Sequence, residues 1–423
     1  MDSLFIISML SFLNSVKPFH FHPPFQFGSN YEVYYQWKQI DYNFPNSSVR
    51  TELINNGGFI QKNCVPTGIK VFQDKVFVTT PRYSPGVPYT LNVIPYKKSY
   101  FDQIFMRNNG PKLTPFPSYE MNQVGNCTAL QLVQAMELDP YNRLWIVDVG
   151  RAEIFGDPPK NFCAAKLVIL DLTNGNKIER AYEFPDSVVN RDGNIIKDIQ
   201  VACTTRDDCF AYVANINATE RSGLVIYDYK NNDSWMAFHP SMMFDPAKQN
   251  VTIEDTSSLV PFGITALGLT PKSTNYSALY FSKIAGDHIY RLNTTTLKNG
   301  AQLKANSMLS DADVQDLGAK PSGQSDGSAM DNRGRWYFGS LPESAVYYVD
   351  TTGNPGNLTS SSTKAVGNRR EMQWPDTFSF DGMGNLLFTS DRFQLVDADM
   401  INPNEVNFRL IRFKTDSVSY LSG

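Results

Sequence analysis

The sequence predicts an all-β chain folded as a six-bladed β-propeller and closed by its own N-terminal strand. Two observations lead there. A strand–turn–strand pattern recurs six times, and its copies, aligned at Gly68, Gln134, Asp198, Gly263, Asp326 and Asp376, lie 66, 64, 65, 63 and 50 residues apart. Near-equal steps mark a repeat architecture in which each unit covers the apolar face of the next. The copies are also dominated by aromatic and β-branched residues, with little helical periodicity, so the units are sheets.

The chain opens on LFIISMLSFL (residues 4–13), a largely apolar stretch too short to span a bilayer and suited to the core of a leader. A signal peptide is expected over residues 1–18 and a Pro/Phe-rich linker, holding His20 and His22, over 19–30. Residues 31–423 form the propeller. TGIKVFQDKVFVTT from Thr67 begins blade 1, QAMELDPYNRLWIVD from Gln134 blade 2, and DIQVACTTRDDCFAYVAN from Asp198 blade 3. GITALGLTPKSTNYSALYFS from Gly263, DGSAMDNRGRWYFGS from Asp326 and DTFSFDGMGNLLFTS from Asp376 begin blades 4, 5 and 6. Each is a hairpin whose turn carries Asp, Asn, Gly or Pro, residues that tolerate turn dihedrals. KLVILDL, GLVIYDY, HIYRLN and AVYYVD supply third strands, with a more polar fourth strand after them. The last step is short, and YEVYYQWKQIDY (Tyr31–Tyr42) precedes blade 1, so that segment is expected to complete blade 6. A closed ring leaves only short, protected edges.

Composition limits the partners. Hydrophobic residues make up 42% and charged residues 19%, enough apolar material for a large core. The net charge of −4 comes from 38 basic and 42 acidic side chains with no basic run, which excludes nucleic acid and anionic membrane surfaces as partners. No segment is long and apolar enough for membrane insertion. Eight N-x-S/T sequons, at Asn46, Asn126, Asn217, Asn232, Asn250, Asn275, Asn293 and Asn357, point to a glycosylated, secreted, extracellular protein. In that compartment the five cysteines (Cys64, Cys127, Cys163, Cys203, Cys209) form two bridges and leave one thiol, with the pairing open. No C-x₂-C motif offers a zinc site, and G-x-S-x-G, P-loop and G-x-G-x-x-G patterns are absent, so no metal or cofactor is expected.

VPTGIKVFQDKVFVTTPRYSPGVPYTL, NRLWIVDVG, KLVILDL, GLVIYDY, FGITALGL, WPDTFSFDGMGNLLF and NPNEVNFRL occur in that order. Together they resemble blocks of the yellow/major royal jelly protein family, from about Tyr31 to Leu421. The resemblance implies the same six-bladed fold. It implies an activity less narrowly, because members convert dopachrome in melanin formation, bind biogenic amines, or serve nutritive and structural roles. Members commonly carry a Cys just before the Arg-Leu-Trp block, where this chain reads Asp-Pro-Tyr-Asn before Arg143. An altered disulfide set follows, with Cys64 and Cys209 as replacements.

Propeller geometry places the candidate site. Residues that begin inner strands and residues that end second strands surround the same channel mouth. The first group is Thr67, Gln134, Asp198, Phe262, Asp326 and Asp376; the second is Arg82, Asp148, Asn215, Lys283, Ser340 and Asp391. With Tyr83, Trp374 and Phe378 they combine carboxylates for an ammonium with π-faces for a ring. Thr67, Gln134, Phe262, Asp326, Asp376 and Phe378 are therefore the expected contacts of a small aromatic amine or catechol. Conversion of dopachrome, with Asp326 and Asp376 as the acid/base pair, is the alternative. A structural or nutritive glycoprotein comes after it, and a calcium-dependent hydrolase using Asp198, Asp326 and Asp376 ranks last.

Overall fold

The computed structural model describes residues 30–96, 110–156, 158–217, 221–353, 358 and 360–422. The expected leader, all but the last residue of the linker, and Asn357 lie outside the described residues. Six four-stranded antiparallel sheets form the blades. Their inner strands are Ile69–Phe72, Val133–Leu138, Asn194–Thr205, Ile264–Leu269, Ser328–Met330 and Pro375–Phe380. Blade 6 runs from Pro375–Phe380 through Asn385–Ser390 and Phe408–Lys414 to Tyr31–Trp37 as its outermost strand. The ring is thus closed by hydrogen bonds between the chain's two ends, as the short last repeat predicts.

The repeated turn residue has a specific role. Asp139 Oδ1 accepts the backbone N–H groups of Tyr141 (2.8 Å) and Arg143 (3.0 Å). Asp331 does the same for Arg333 and Arg335, and Asp381 for Met383 and Asn385. A carboxylate two residues before one amide and four before another holds the first hairpin of blades 2, 5 and 6 in one shape. That is why DPYNR, DNRGR and DGMGN recur at the repeat spacing. The strands beside these turns bury Trp145 and Trp336 completely.

Inner strands of neighbouring blades approach closely where glycine permits it. A Cβ on Gly68 of blade 1 would lie 2.2 Å from the Gln134 carbonyl of blade 2, and one on Gly327 would lie 1.7 Å from the Asp376 carbonyl. Each contact is closer than a side chain allows. At the far mouth the tail after Lys414 crosses the channel. The Tyr420 hydroxyl donates to the Val201 carbonyl (3.0 Å) and accepts from its N–H (2.9 Å), while the Tyr420 amide reaches Met330.

The disulfides are Cys127–Cys163 and Cys203–Cys209. Cys209 is bridged, as the altered set implied, but Cys64 is a buried free thiol and replaces nothing. It packs beneath Tyr42, where burial raises its pKa to about 12. Among the described residues no helix is long and apolar enough to cross a membrane.

Candidate binding site at the channel mouth

The mouth is built by strands that break their own register. In blade 2 the pairing of inner and second strands skips between Val133 and Ala135, in blade 3 between Ile196 and Asp198, and in blade 4 between Ile264 and Ala266. Blade 6 skips from Pro375 to Phe378. The residues in these bulges are Gln134, Lys197, Thr265, Asp376 and Thr377, and all of them line the channel. A bulge frees one residue from the ladder and turns its side chain, here toward the axis.

Lys197 lies at the centre. Its ammonium stands 3.1 Å from Asp326 Oδ1 and 3.8 Å from Asp376 Oδ1, with only 12% of the side chain exposed. Asp326 also accepts the indole N–H of Trp374 at 3.0 Å. Behind Asp376, within hydrogen-bonding reach of it, stands the fully buried Asp391. Burial, reinforced by Asp376, pushes Asp391 far above the carboxylate range. Burial outweighs Lys197 at Asp326 too, lifting it to about 6. At Lys197 the carboxylates win over burial and hold the ammonium charged. With the Asp391 proton in place, two carboxyls, Asp326 and Asp376, face one ammonium.

Five aromatic rings roof this cluster. Tyr83 stacks on Phe155 (5.1 Å between centroids) and meets Phe393 edge-on (5.9 Å). Phe155 faces Phe262 at 6.5 Å, and Trp374 touches Phe393 at 5.2 Å. Together with Gln134, Lys197, Asp326 and Asp376 they line a cavity of about 30 Å³. The rings meet so tightly that the room left among them suits water-sized molecules. Phe155, 48% exposed, is the outermost ring. Trp374 adopts a left-handed backbone (φ 55°) immediately before a proline, a combination that costs roughly 1–3 kcal/mol and that surrounding contacts must hold. Strain of this kind collects at functional sites.

The predicted residues divide. Gln134, Phe262, Asp326 and Asp376 meet at this mouth, with Tyr83 and Trp374. Thr67 does not reach it. Its hydroxyl contacts Thr79 (3.1 Å) and its carbonyl accepts from Thr389 (2.6 Å), which ties blade 6 to blade 1. Phe378 is fully buried, stacks on Phe388, and lies further along the channel, below the roof. Asp198 anchors blade 4 by accepting from the Leu267 amide (2.8 Å), and burial raises its pKa to about 7. Arg82 and Asp148 are used up as internal ties, donating to or accepting from backbone groups. Lys197 is the residue that alignment of the repeats missed, because the extra residue of a bulge leaves no period to read. Its only signal was a lysine beside an inner-strand start.

Curated relatives share the fold's sequence. "Protein yellow" of Drosophila madeirensis is 27% identical over 385 residues, covering 89% of this chain and 64% of the relative. That of Drosophila melanogaster is 30% identical over 272 residues, or 63% of this chain and 48% of the relative. This chain therefore spans less than two thirds of the length of those relatives. Among solved structures, regucalcin of Agrobacterium tumefaciens, a calcium-binding protein, overlays with a TM-score of 0.48 at 13% identity, covering 85% of this chain and 93% of that one. Matched to the major royal jelly protein model over residues 132–420, this chain belongs to that family.

Proposed function

We propose that the protein is a secreted binder of a small aromatic amine or catechol, held at the mouth roofed by Tyr83, Phe155, Phe262, Trp374 and Phe393. The observation that carries this reading is the charge count under the roof: Asp326 and Asp376 against Lys197 alone. An ammonium entering the cluster would be drawn by this excess of carboxyls, and its ring would replace the contacts the five aromatics now make with one another. Entry requires Phe155 to swing outward, and its exposure leaves it room to do so.

Titration calorimetry with dopamine, serotonin and histamine tests the site. Asp376→Asn should weaken binding at least about 30-fold, since losing one partner of a buried charge pair costs about 2–5 kcal/mol. Unchanged affinity in a folded Asp376→Asn variant would remove the assignment.

The Asp376–Asp391 pair favours a second reading, a dopachrome-type tautomerase. One carboxyl holds a proton and its neighbour accepts one, the equipment for moving a proton between two positions of a ring. Turnover of dopachrome by the purified protein, lost in Asp391→Asn, would establish it, and no turnover would remove it. A protein that neither binds nor converts any of these compounds is left with a structural or nutritive role.

Secretion is supported by the two disulfides and by six exposed sequon asparagines, Asn46, Asn126, Asn232, Asn250, Asn275 and Asn293. Asn217 differs. It is 5% exposed and paired with Asn194 in blade 3, so its amide is far less open to a glycan than those of the other six. Glycopeptide mapping after expression in a eukaryotic host should find glycans at the exposed sites and none at Asn217. A fully occupied Asn217 would mean that this edge of blade 3 is opened in the mature protein.

A further inference from the structure

We infer that the mouth binds its cationic ligand in exchange for a proton, with the Asp376–Asp391 pair as the exchanging group. The inference rests on the amine-binding reading of this site and adds its regulation. The argument begins with hydrogen-bond inventory. An ionised carboxylate only accepts, so two carboxylates in contact need a proton between them. Asp391 Oδ1 accepts the Phe393 N–H at 3.1 Å, while its buried Oδ2 has no donor from any protein group. A proton on this pair removes that deficiency. The alternative, two adjacent buried negative charges, is strongly unfavourable.

The groups facing the pair are few. Tyr83 comes from the turn of blade 1, Lys197 from blade 3 and Asp326 from the approach to blade 5. Blades 2 and 4 contribute the uncharged Gln134, Thr265 and Phe262. Arg392, the residue after Asp391, turns away to Gln373 (3.2 Å) and Asn407 (3.2 Å). Lys197 is thus the only cation at the cluster among the described residues, and it already serves Asp326 and Asp376. A second cation arriving from the ligand adds the attraction that the pair lacks when both members ionise. The proton then leaves to solvent and the ligand ammonium takes its place, so charge is conserved in the exchange.

The linkage has a definite sign. Ligand binding lowers the pair's affinity for its proton, so protons compete with ligand and affinity rises with pH. The rise is confined to the interval between the bound and free pKa values of the pair and is at most about tenfold per pH unit for one proton. An uncharged ring supplies no cation and displaces nothing.

The test is titration calorimetry of the full chain with dopamine at neutral pH in phosphate and in Tris, whose protonation enthalpies differ. The dependence of the observed heat on buffer counts the protons released. A substantial fraction of one proton per dopamine is expected, with none for catechol, and the dopamine affinity should rise from about pH 5 to about pH 8. Dopamine binding with no proton release would overturn the exchange while leaving the site in place. Failure of dopamine to bind in any buffer would instead remove the amine reading itself, and the exchange with it. Asp391→Asn should abolish the proton release; release that persists in a folded variant would place the proton on another group and overturn the assignment.

Discussion

Lys197→Met is expected to destabilise the protein by about 3–5 kcal/mol, the usual result of removing one partner from a buried ionic cluster. Methionine fills similar volume, so packing alone should change little. What remains is three carboxyls, Asp326, Asp376 and Asp391, each no more than 3% exposed, around a vanished ammonium. They can avoid repulsion only by taking up protons, which raises the pKa values of Asp326 and Asp391 further. A carboxyl whose folded pKa is raised loses stability as pH climbs from its unfolded pKa to its folded one, and regains it on acidification. The deficit should therefore be large at about pH 8 and much smaller at about pH 5. Adding Asp326→Asn to Lys197→Met should recover a good part of it, since one negative charge leaves with the positive one. Urea denaturation of the three proteins at both pH values decides the matter. A loss below about 1 kcal/mol, or one independent of pH, would mean that water rather than Lys197 balances the carboxyls.

The importance of Lys197 also marks the limit of what the sequence discloses. Repeats are legible because each blade solves the same turn problem with the same residue: Asp139, Asp331 and Asp381 all accept from the second and fourth amides after them. Closure is legible because a short final repeat and an unassigned N-terminal strand complete each other. Inner-strand starts pointed to Gln134, Asp326 and Asp376, which the structure brings together at one mouth. The site fails to be legible where the strands leave their period. A one-residue slip reverses which face a side chain takes, so the bulge at Lys197 brings the lysine to the axis and assigns Asp198 to the seam with blade 4. Thr67 and Phe378 were placed by spacing alone, and spacing cannot tell a residue that lines a mouth from one that stitches two blades. Phe155 and Phe393 come from segments outside the repeat, for which the alignment held no counterpart.

Arg82 gives the second large effect, and it connects stability to the mouth. Its guanidinium is 2% exposed and donates to five carbonyl oxygens, those of Val87 (3.0 Å), Leu130 (2.9 Å), Gln131, Pro88 (2.7 Å) and Asn122 (2.5 Å). These acceptors belong to the loop that follows the second strand of blade 1 and to the lead into blade 2. One side chain therefore fixes the path of both segments, and its neighbour Tyr83 is fixed with them. Arg82→Met would strand several buried carbonyls at about 1–3 kcal/mol for each that water fails to reach, so a loss of at least about 3 kcal/mol is expected. Arg82→Lys should recover little of it, because a single ammonium has three donors and no planar fork to span five acceptors. Ligand affinity should fall in both variants, since Tyr83 loses the backbone that aims it between Phe155 and Phe393. Denaturation midpoints and dopamine titrations on the same preparations separate the two consequences. If Arg82→Lys matches the wild type in both, the five contacts do not hold the loop, and another interaction sets the position of Tyr83.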